Sequence, residues 1–431
     1  MFVPEEESLD RAGLVRLQRA KLGAVLTRAR SGDTFYARRF ESLDFDALRD
    51  PIHTLPLTTR SDLQADQAAR PPYGTLLTRP IEHYTRLHQT SGSSGAPLRV
   101  LDTTEDWRWW MRCWGILYKA AGVVDGDRFF FPFSFGPFIG FWAAFEGALS
   151  LGHMALAGGG MTTVARLRHM IENEVTIVGC TPTYALHMAE VARAEGIDLA
   201  GSPVRALIVA GEPGGNIPAT RRLIEEAFGA RVLDHAGMTE VGPWGFECVE
   251  RESGLHVMES EFIAEVIDAQ TLEPAGPGTP GELVLTNLGR LGMPLIRYRT
   301  GDQVTRAADG RCACGRWFAR LEAGVQGRID DMLVIRGNNV FPSAVEGVVR
   351  SFGEVAEFRI RCEQRGSLSD LHIDVEPAMD ANPDGLPERI EAEMRDRFHF
   401  KPVVRIVACG SLPRFEMKAS RVVHGDEGAR D

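Results

Sequence analysis

Two groups of residues carry types and spacings that could do chemistry. The first is Thr90-Ser91-Gly92-Ser93-Ser94-Gly95-Ala96-Pro97, just before an apolar strand start, Leu98-Arg99-Val100-Leu101. Its glycines let the backbone fold closely round phosphate oxygens, with amides and hydroxyls as donors. A plain Ser/Gly turn is the alternative. The loop lacks the G-x-x-x-x-G-K-[ST] pattern, which disfavours a P-loop kinase or ATPase. The second group is Cys248, His256 and Cys312-Ala313-Cys314-Gly315. Close Cys-x-Cys spacing followed by glycine allows two thiolates to hold one ion, and a Cys and a His from a neighbouring hairpin would complete a closed tetrahedral Cys3His set. The spacing is looser than Cys-x-x-Cys, so ordinary buried or surface side chains remain the other reading.

The chain that must position these groups has 431 residues, 44% hydrophobic and 25% charged, which is ordinary for a soluble globular protein of two or three domains. Its 48 basic and 59 acidic residues leave a net charge of −11, which argues against nucleic acid or acidic lipid as the main partner and for a small molecule. Seven cysteines along so long a chain are unlike a secreted disulfide scaffold, and the acidic start, Met1-Phe2-Val3-Pro4-Glu5-Glu6-Glu7, has no signal-like segment. A reducing cytoplasm is the expected compartment. The uncharged, phenylalanine-rich run 129–145 is too short for a membrane helix and is broken by Pro132, Gly136 and Pro137, so it reads as a buried strand, turn and helix start. Cys113, Cys180, Cys362 and Cys409 read as core residues.

Apolar residues at helical spacing predict a surface helix over 9–27. Short apolar, β-branched runs at 175–180, 204–210 and 231–234, with an amphipathic helix at 218–228, predict an α/β unit with a largely parallel sheet. From 262 to 304, strands punctuated by Gly and Pro predict an antiparallel, hairpin-rich subdomain. The last hundred or so residues predict a further α+β unit, with strands at 332–336 and 371–375 and helices at 342–351 and 387–398.

Further motifs follow the Ser/Gly loop in order: Val209-Ala-Gly-Glu-Pro213, Asp234-His-Ala-Gly-Met-Thr-Glu240, Tyr298-Arg-Thr-Gly-Asp302, Gly327-Arg-Ile-Asp-Asp331 and Leu412-Pro-Arg-Phe-Glu-Met-Lys418. With these, and with Phe35-Tyr36 and Pro56-Leu-Thr-Thr-Arg-Ser-Asp-Leu63, the chain resembles the phenylacetate-CoA ligase family of adenylate-forming enzymes over nearly its whole length. The resemblance implies an α/β adenylate-forming fold: a large multi-sheet N-terminal domain (1–327), a hinge (328–331) at Asp330, and a small mobile α+β C-terminal domain (332–431). It implies that a carboxylate attacks the α-phosphate of ATP to give an acyl-adenylate, and that coenzyme A then takes the acyl group as a thioester.

Residue roles follow from the same resemblance. Ser91, Gly92, Ser93, Ser94 and Gly95 match the loop over the phosphates; Thr239 and Glu240 match phosphate and Mg2+ contacts, a carboxylate oxygen suiting that ion. Asp302 matches the ribose carboxylate, Arg328 reaches ribose and phosphate, and Gly211, Glu212 and Pro213, with Asp234 and His235, line the nucleotide. Lys418 matches the mobile catalytic lysine, acting with Glu240 and Thr239. Family members with a similar Cys/His pattern carry zinc, which extends to Cys248, His256, Cys312 and Cys314. Candidate walls of the acid pocket are Phe135, Pro137, Phe138, Phe141 and Trp142, with Ala236 and Gly237 near its floor, a lining suited to a flat aryl or arylacetic acid. Two positions depart from the family: Ala236 replaces an aromatic that stacks on adenine, and Ala96 replaces a loop lysine. The expected partners are thus a small aromatic acid, ATP, and coenzyme A, with no nucleic acid or membrane; a homodimer is compatible with the family. The rival readings are transfer to a carrier-protein thiol or an amine, and a non-catalytic nucleotide-binding relative.

Overall fold

The computed structural model describes all residues except 91–95, 251–252, 337, 366–367, 417 and 425–431. Its centre is an 11-stranded sheet. At one end the strands Met154–Ala157, Arg128–Phe131, Ile177–Cys180, Ala206–Val209 and Arg231–Met238 run parallel in that spatial order. Helices cover such a sector on both faces, which is why these runs are almost wholly apolar. Cys180 pairs with Val209 and Val209 with Asp234, so the strand ends leading into residues 181, 210 and 235 open at one edge. Ligands of open α/β sheets bind at that carboxyl edge.

Strand Arg231–Met238 is also where the sheet changes character. It pairs antiparallel with Gly242–Phe246, and the sheet continues through Leu255–Val257, Arg320–Arg328, Tyr298–Arg306, Pro280–Asn287 and Phe262–Ile267. The hairpin-rich segment expected from 262 to 304 is therefore antiparallel, but it extends the central sheet rather than standing apart. A separate antiparallel pair of strands, Tyr84–Gln89 with Arg99–Thr103, brings Thr90 and Leu98 together at its end.

Local sequence explains the helices that brace this edge. Thr103 and Asp106 form a reciprocal capping box that starts helix Thr104–Ala120, which buries Trp107, Trp109, Trp110 and Trp114. Each ring removes roughly 150–250 Å² from water, so this helix is a main anchor of the core. Pro218 begins and Gly229, in the left-handed region at φ 59°, ends helix Pro218–Phe228. The helix expected over 9–27 spans Arg11–Ala29, its N-terminus capped by Asp10, whose side chain accepts from the Gly13 amide.

The carboxy-terminal residues make a unit with its own core, from Leu333 to Val404. Four strands in the order Val403–Ile406, Leu368–Pro377, Val355–Arg365 and Val422–His424 pack with helices Pro342–Val349 and Leu386–Phe398. Strand Val355–Arg365 has no counterpart in the sequence reading, because its charged residues alternate with Phe358, Ile360 and Cys362 on a half-exposed sheet. Two cysteines also depart from expectation: Cys113 and Cys180 are buried, but Cys362 is only half-buried and Cys409 is exposed. Among the described residues, no helix is long and apolar enough to cross a membrane.

Candidate active site

The motifs converge on the carboxyl edge of the sheet. Glu240 follows strand Arg231–Met238 and is buried; its Oε1 accepts from the Tyr298 hydroxyl at 2.9 Å, and the Arg60 Nη1 lies 3.8 Å away. The turn that presents it is held from below by Arg290. That guanidinium, wholly buried, donates to the Thr239 and Glu240 carbonyls at 3.0 and 2.9 Å and makes a paired contact with Asp102 at 2.8 and 2.7 Å. Losing one member would strand the other charge in the interior, at a cost of about 3–5 kcal/mol. Arg60 also donates to the Thr90 hydroxyl at 3.0 Å, so one cation joins the root of the Ser/Gly loop to Glu240. Ser91, Gly92, Ser93, Ser94 and Gly95 lie outside the described residues.

Asp302 and Arg328 face each other across paired strands, with Nη1 of Arg328 3.7 Å from Oδ1 of Asp302. Burial pushes the Asp302 carboxyl up to about 7, with the Arg328 charge opposing. Such a buried carboxylate suits a ligand bearing two hydroxyls. Arg328 also grips Asp330, at 2.9 and 3.2 Å, in the short turn Ile329–Asp331 that leads to the carboxy-terminal unit.

The remaining candidates occupy more specialised places. Gly211 takes a φ of 95°, which a side chain would strain, and Glu212 turns away toward the amides of Thr183 (2.9 Å) and Ala419 (2.7 Å). Asp234 is engaged inside the protein by Asn216 and by the His235 amide, and burial raises its carboxyl to about 7. His235 Nδ1 lies 2.7 Å from the Gly245 carbonyl and so is the protonated nitrogen; burial lowers this imidazole to about 4 and keeps it neutral. A Cβ at Gly237 would meet His235 Nε2 at 3.3 Å, whereas one at Gly245 would meet the Ala236 side chain. His235 and Gly237 therefore share one face of the strand and Ala236 lies on the other.

Around the expected acid pocket, the Phe135 ring packs at a tilt against Trp142 (4.7 Å between centroids) and edge-on against Phe145 (5.3 Å), while the Phe141 centroid lies 3.8 Å from that of Phe133. The Trp142 indole donates to the Gly136 carbonyl at 2.8 Å, and Phe138 precedes helix Ile139–Ser150. Pro137 is exposed, and its carbonyl accepts from Gln89 at the hairpin.

The cysteine–histidine cluster lies apart from these residues in the fold's antiparallel sector. Ligand atoms of Cys248, His256, Cys312 and Cys314 all lie within 4.8 Å of one another, with His256 Nε2 3.6 Å from Cys248 Sγ and 3.7 Å from Cys314 Sγ, and the Cys248 and Cys312 sulfurs 3.9 Å apart. A tetrahedron with ~2.3 Å zinc–sulfur legs has edges of roughly 3.8 Å, so the donor set fits. The Phe318 carbonyl, 3.4 Å from His256 Nδ1, leaves Nε2 facing the thiols.

Lys418 comes from the other domain. It is exposed, has no ion-pair partner among the described residues, and its charge is felt at the Asp302 carboxyl. The model of the AMP-binding enzyme family matches residues 62–289, and that of the AMP-binding enzyme C-terminal domain matches 337–425. Phenylacetate-coenzyme A ligase of Thermus thermophilus is 30% identical over 442 residues, covering 96% of this chain and 97% of its own; that of Escherichia coli is 31% identical over 433 residues, covering 97% and 96%. The chain belongs to the phenylacetate-CoA ligase family of adenylate-forming enzymes.

As a member, it is an AMP-forming acid–thiol ligase that activates a carboxylic acid with ATP and transfers it to coenzyme A. Among solved structures, a 2-hydroxyisobutyryl-CoA ligase with its acyl-adenylate in the postadenylation state superposes with a TM-score of 0.91 (27% identity, 99% of this chain and 92% of that one). In the thioesterification state the same ligase scores 0.73 (28% identity, 98% and 91% covered). The two domains here therefore stand as in the postadenylation form, consistent with Lys418 lying near Asp302.

Arg60, Arg290 and Asp102 are absent from the sequence reading of the site. Arg60 sits inside a quoted motif, but only the fold aims it at Thr90 and Glu240; Arg290 and Asp102 carried no local signal.

The Asp302 carboxyl yields a first prediction. Its folded value near 7 lies above the ordinary carboxylate value of 3.8, so the folded state holds a proton that the unfolded chain releases, and this group lowers stability as pH rises from about 4 to 7. Asp302→Asn should remove a penalty of ~4 kcal/mol, so its Tm relative to wild type should climb between pH 5 and 8. ATP affinity should fall at least about tenfold as charge-assisted acceptors are lost. Scanning fluorimetry across that range and calorimetric ATP titration check both; a parallel pH profile or unchanged affinity would refute the role.

Proposed function

We propose that this ligase activates an aryl or arylacetic acid, with Asp302 and Arg328 on the ribose, the 91–95 loop on the phosphates and Lys418 on the charge that develops as pyrophosphate leaves. The observation that carries the reading is that Glu240 is held by Tyr298, which shares a strand with Asp302, while the charge of Lys418, from a third distant segment, acts on the Asp302 carboxyl. The aromatic group Phe135, Phe141 and Trp142 supports the acid class, because offset stacking and apolar burial favour a flat ring, and Phe138 is proposed as a further wall. The four relatives named phenylacetate-coenzyme A ligase point the same way.

The chain's own residues explain the division of labour. Arg60 and Arg290 keep Glu240 and its turn in place, and Glu240 Oε2 has no hydrogen-bond partner among the described residues, which leaves it for an ion. Glu240 would hold Mg2+, an ion that supplies charge neutralisation at the phosphates when bound. Asp302 fixes the nucleotide's ribose, and the neutral His235 offers an acceptor nitrogen on the nucleotide side. Cys248, His256, Cys312 and Cys314 would hold a structural zinc, and Asp330 is the hinge about which residues 332–431 turn. A reducing cytoplasm fits free cysteines throughout.

The test is ATP–pyrophosphate exchange over a panel of aryl, arylacetic, hydroxy and fatty acids, followed by CoA-dependent AMP release. Exchange with aryl or arylacetic acids at least about tenfold above the others is the expected result. Preference for a small hydroxy acid or a fatty acid would overturn the acid class while leaving the adenylating activity in place.

A further inference from the structure

The segment that brings Lys418 to the nucleotide is fixed at points across the domain boundary, and one of them is unusual. Arg166, on helix Thr163–Glu172 of the large domain, is only 1% exposed. Its Nε donates to the Gly158 carbonyl at 2.9 Å and its Nη1 to the Tyr184 hydroxyl at 2.6 Å. Neither partner carries charge. Among the described residues, its carboxylate partner is Glu416, 3.1 Å away, from the small domain and two residues before Lys418. The Glu416 side chain is 59% exposed, so it loses little on leaving, while the arginine it leaves is deeply buried.

The other side of Lys418 is held as well. The Ala419 amide donates to Glu212 Oε2 at 2.7 Å, and the same carboxylate takes the Thr183 amide at the start of helix Pro182–Ala194. Farther out, Arg414 reaches across to Glu190 on that helix at 2.7 and 2.6 Å while gripping Glu376 of its own domain. The backbone around Lys418 is thus pinned before and behind, and only the flexible stem of the lysine remains to be ordered.

We propose that Arg166 is a positioning residue for adenylation: through Glu416 it clasps the segment bearing Lys418, and the clasp exists only in the pose that forms the adenylate. This rests on the reading of Lys418 as the adenylating lysine. Pinning the backbone removes conformational freedom before the reaction, so loosening it lowers the rate of the step rather than the affinity for ATP. The clasp must open when the small domain turns, so the thioester-forming step does not use it.

The test uses the full chain with Glu416→Gln, an exposed change that does not threaten the fold, then Arg166→Gln and the double variant. Glu416→Gln should lower kcat of pyrophosphate exchange about tenfold with the KM for ATP within about twofold, and leave the rate of thioester formation from supplied acyl-adenylate unchanged. The double variant should be no slower in exchange than Arg166→Gln alone, since both remove one interaction. Amide hydrogen exchange over residues 418–423 should be faster in Glu416→Gln than in wild type. Wild-type exchange kinetics in Glu416→Gln, or equal losses in both half-reactions, would overturn the proposal. A wild-type chain that exchanges pyrophosphate with no acid would defeat the functional reading instead; the amide measurement then still decides, because unchanged protection in Glu416→Gln defeats the clasp.

Discussion

Replacing Lys418 with alanine is expected to slow acid-dependent pyrophosphate exchange by about 10²–10³-fold while changing ATP affinity by less than about threefold. The asymmetry follows from where the ammonium sits. It is exposed and lacks an ion-pair partner among the described residues, so its removal leaves no buried charge and costs the fold little. ATP is expected to be held mainly by groups of the large domain: Asp302 and Arg328 on one side, the loop rooted at Thr90 and Arg60 on the other. In the proposed role the lysine supplies a positive charge where negative charge accumulates as pyrophosphate departs, and loss of an interaction that strengthens only in the transition state lowers kcat, not substrate binding. Lys418→Arg keeps the charge on a planar fork of different reach, and it should recover less than about a tenth of the lost rate. Exchange at the wild-type rate in Lys418→Ala would remove the lysine from the mechanism. A matching collapse of ATP affinity would instead make it a binding residue.

What could be read in advance, and what could not, divides along the range of the interactions. Glu240, Asp302 and Lys418 stand in short motifs whose order along the chain carries the family, and the parallel strands announce themselves by uninterrupted apolar runs. The helix Pro218–Phe228 was legible to the residue because Pro at its start and Gly after its end are local signals. Arginines resisted. Arg60, Arg166 and Arg290 act through partners 30 to 250 residues away, and a long cationic side chain looks the same in sequence whether it is solvated or wholly buried. Ala236 and Gly237 are adjacent in the chain, yet they face opposite sides of their strand, which only the strand geometry reveals. The continuity of the antiparallel strands with the parallel sector was hidden for a related reason: it depends on Arg231–Met238 pairing on both edges, which no local pattern encodes.

Cys312→Ser is expected to release one bound zinc ion and lower stability by ~4 kcal/mol, the contribution of a metal at a free concentration 1,000 times its Kd. The size of the effect comes from what the cluster ties together. Cys312 and Cys314 belong to the irregular connection between strands Tyr298–Arg306 and Arg320–Arg328, whereas Cys248 lies just past the end of strand Gly242–Phe246 and His256 on strand Leu255–Val257. The same connection secures the amino terminus: Arg316 pairs with the wholly buried Glu7 at 2.8 Å, and Glu7 accepts from the Phe2 and Val3 amides at 2.6 Å. Loss of the ion would therefore loosen the connection and the first helix together. Metal analysis of the purified chain, its Tm before and after chelation, and the same pair of measurements on Cys312→Ser test this. A wild-type chain that carries no metal and melts at the same temperature as the serine variant would end the assignment. Because the cluster shares no ligand with the residues around Glu240 and Asp302, the variant should keep its KM for ATP at low temperature and lose activity faster on warming. A raised KM without loss of thermal stability would place the cluster's effect on the nucleotide site instead.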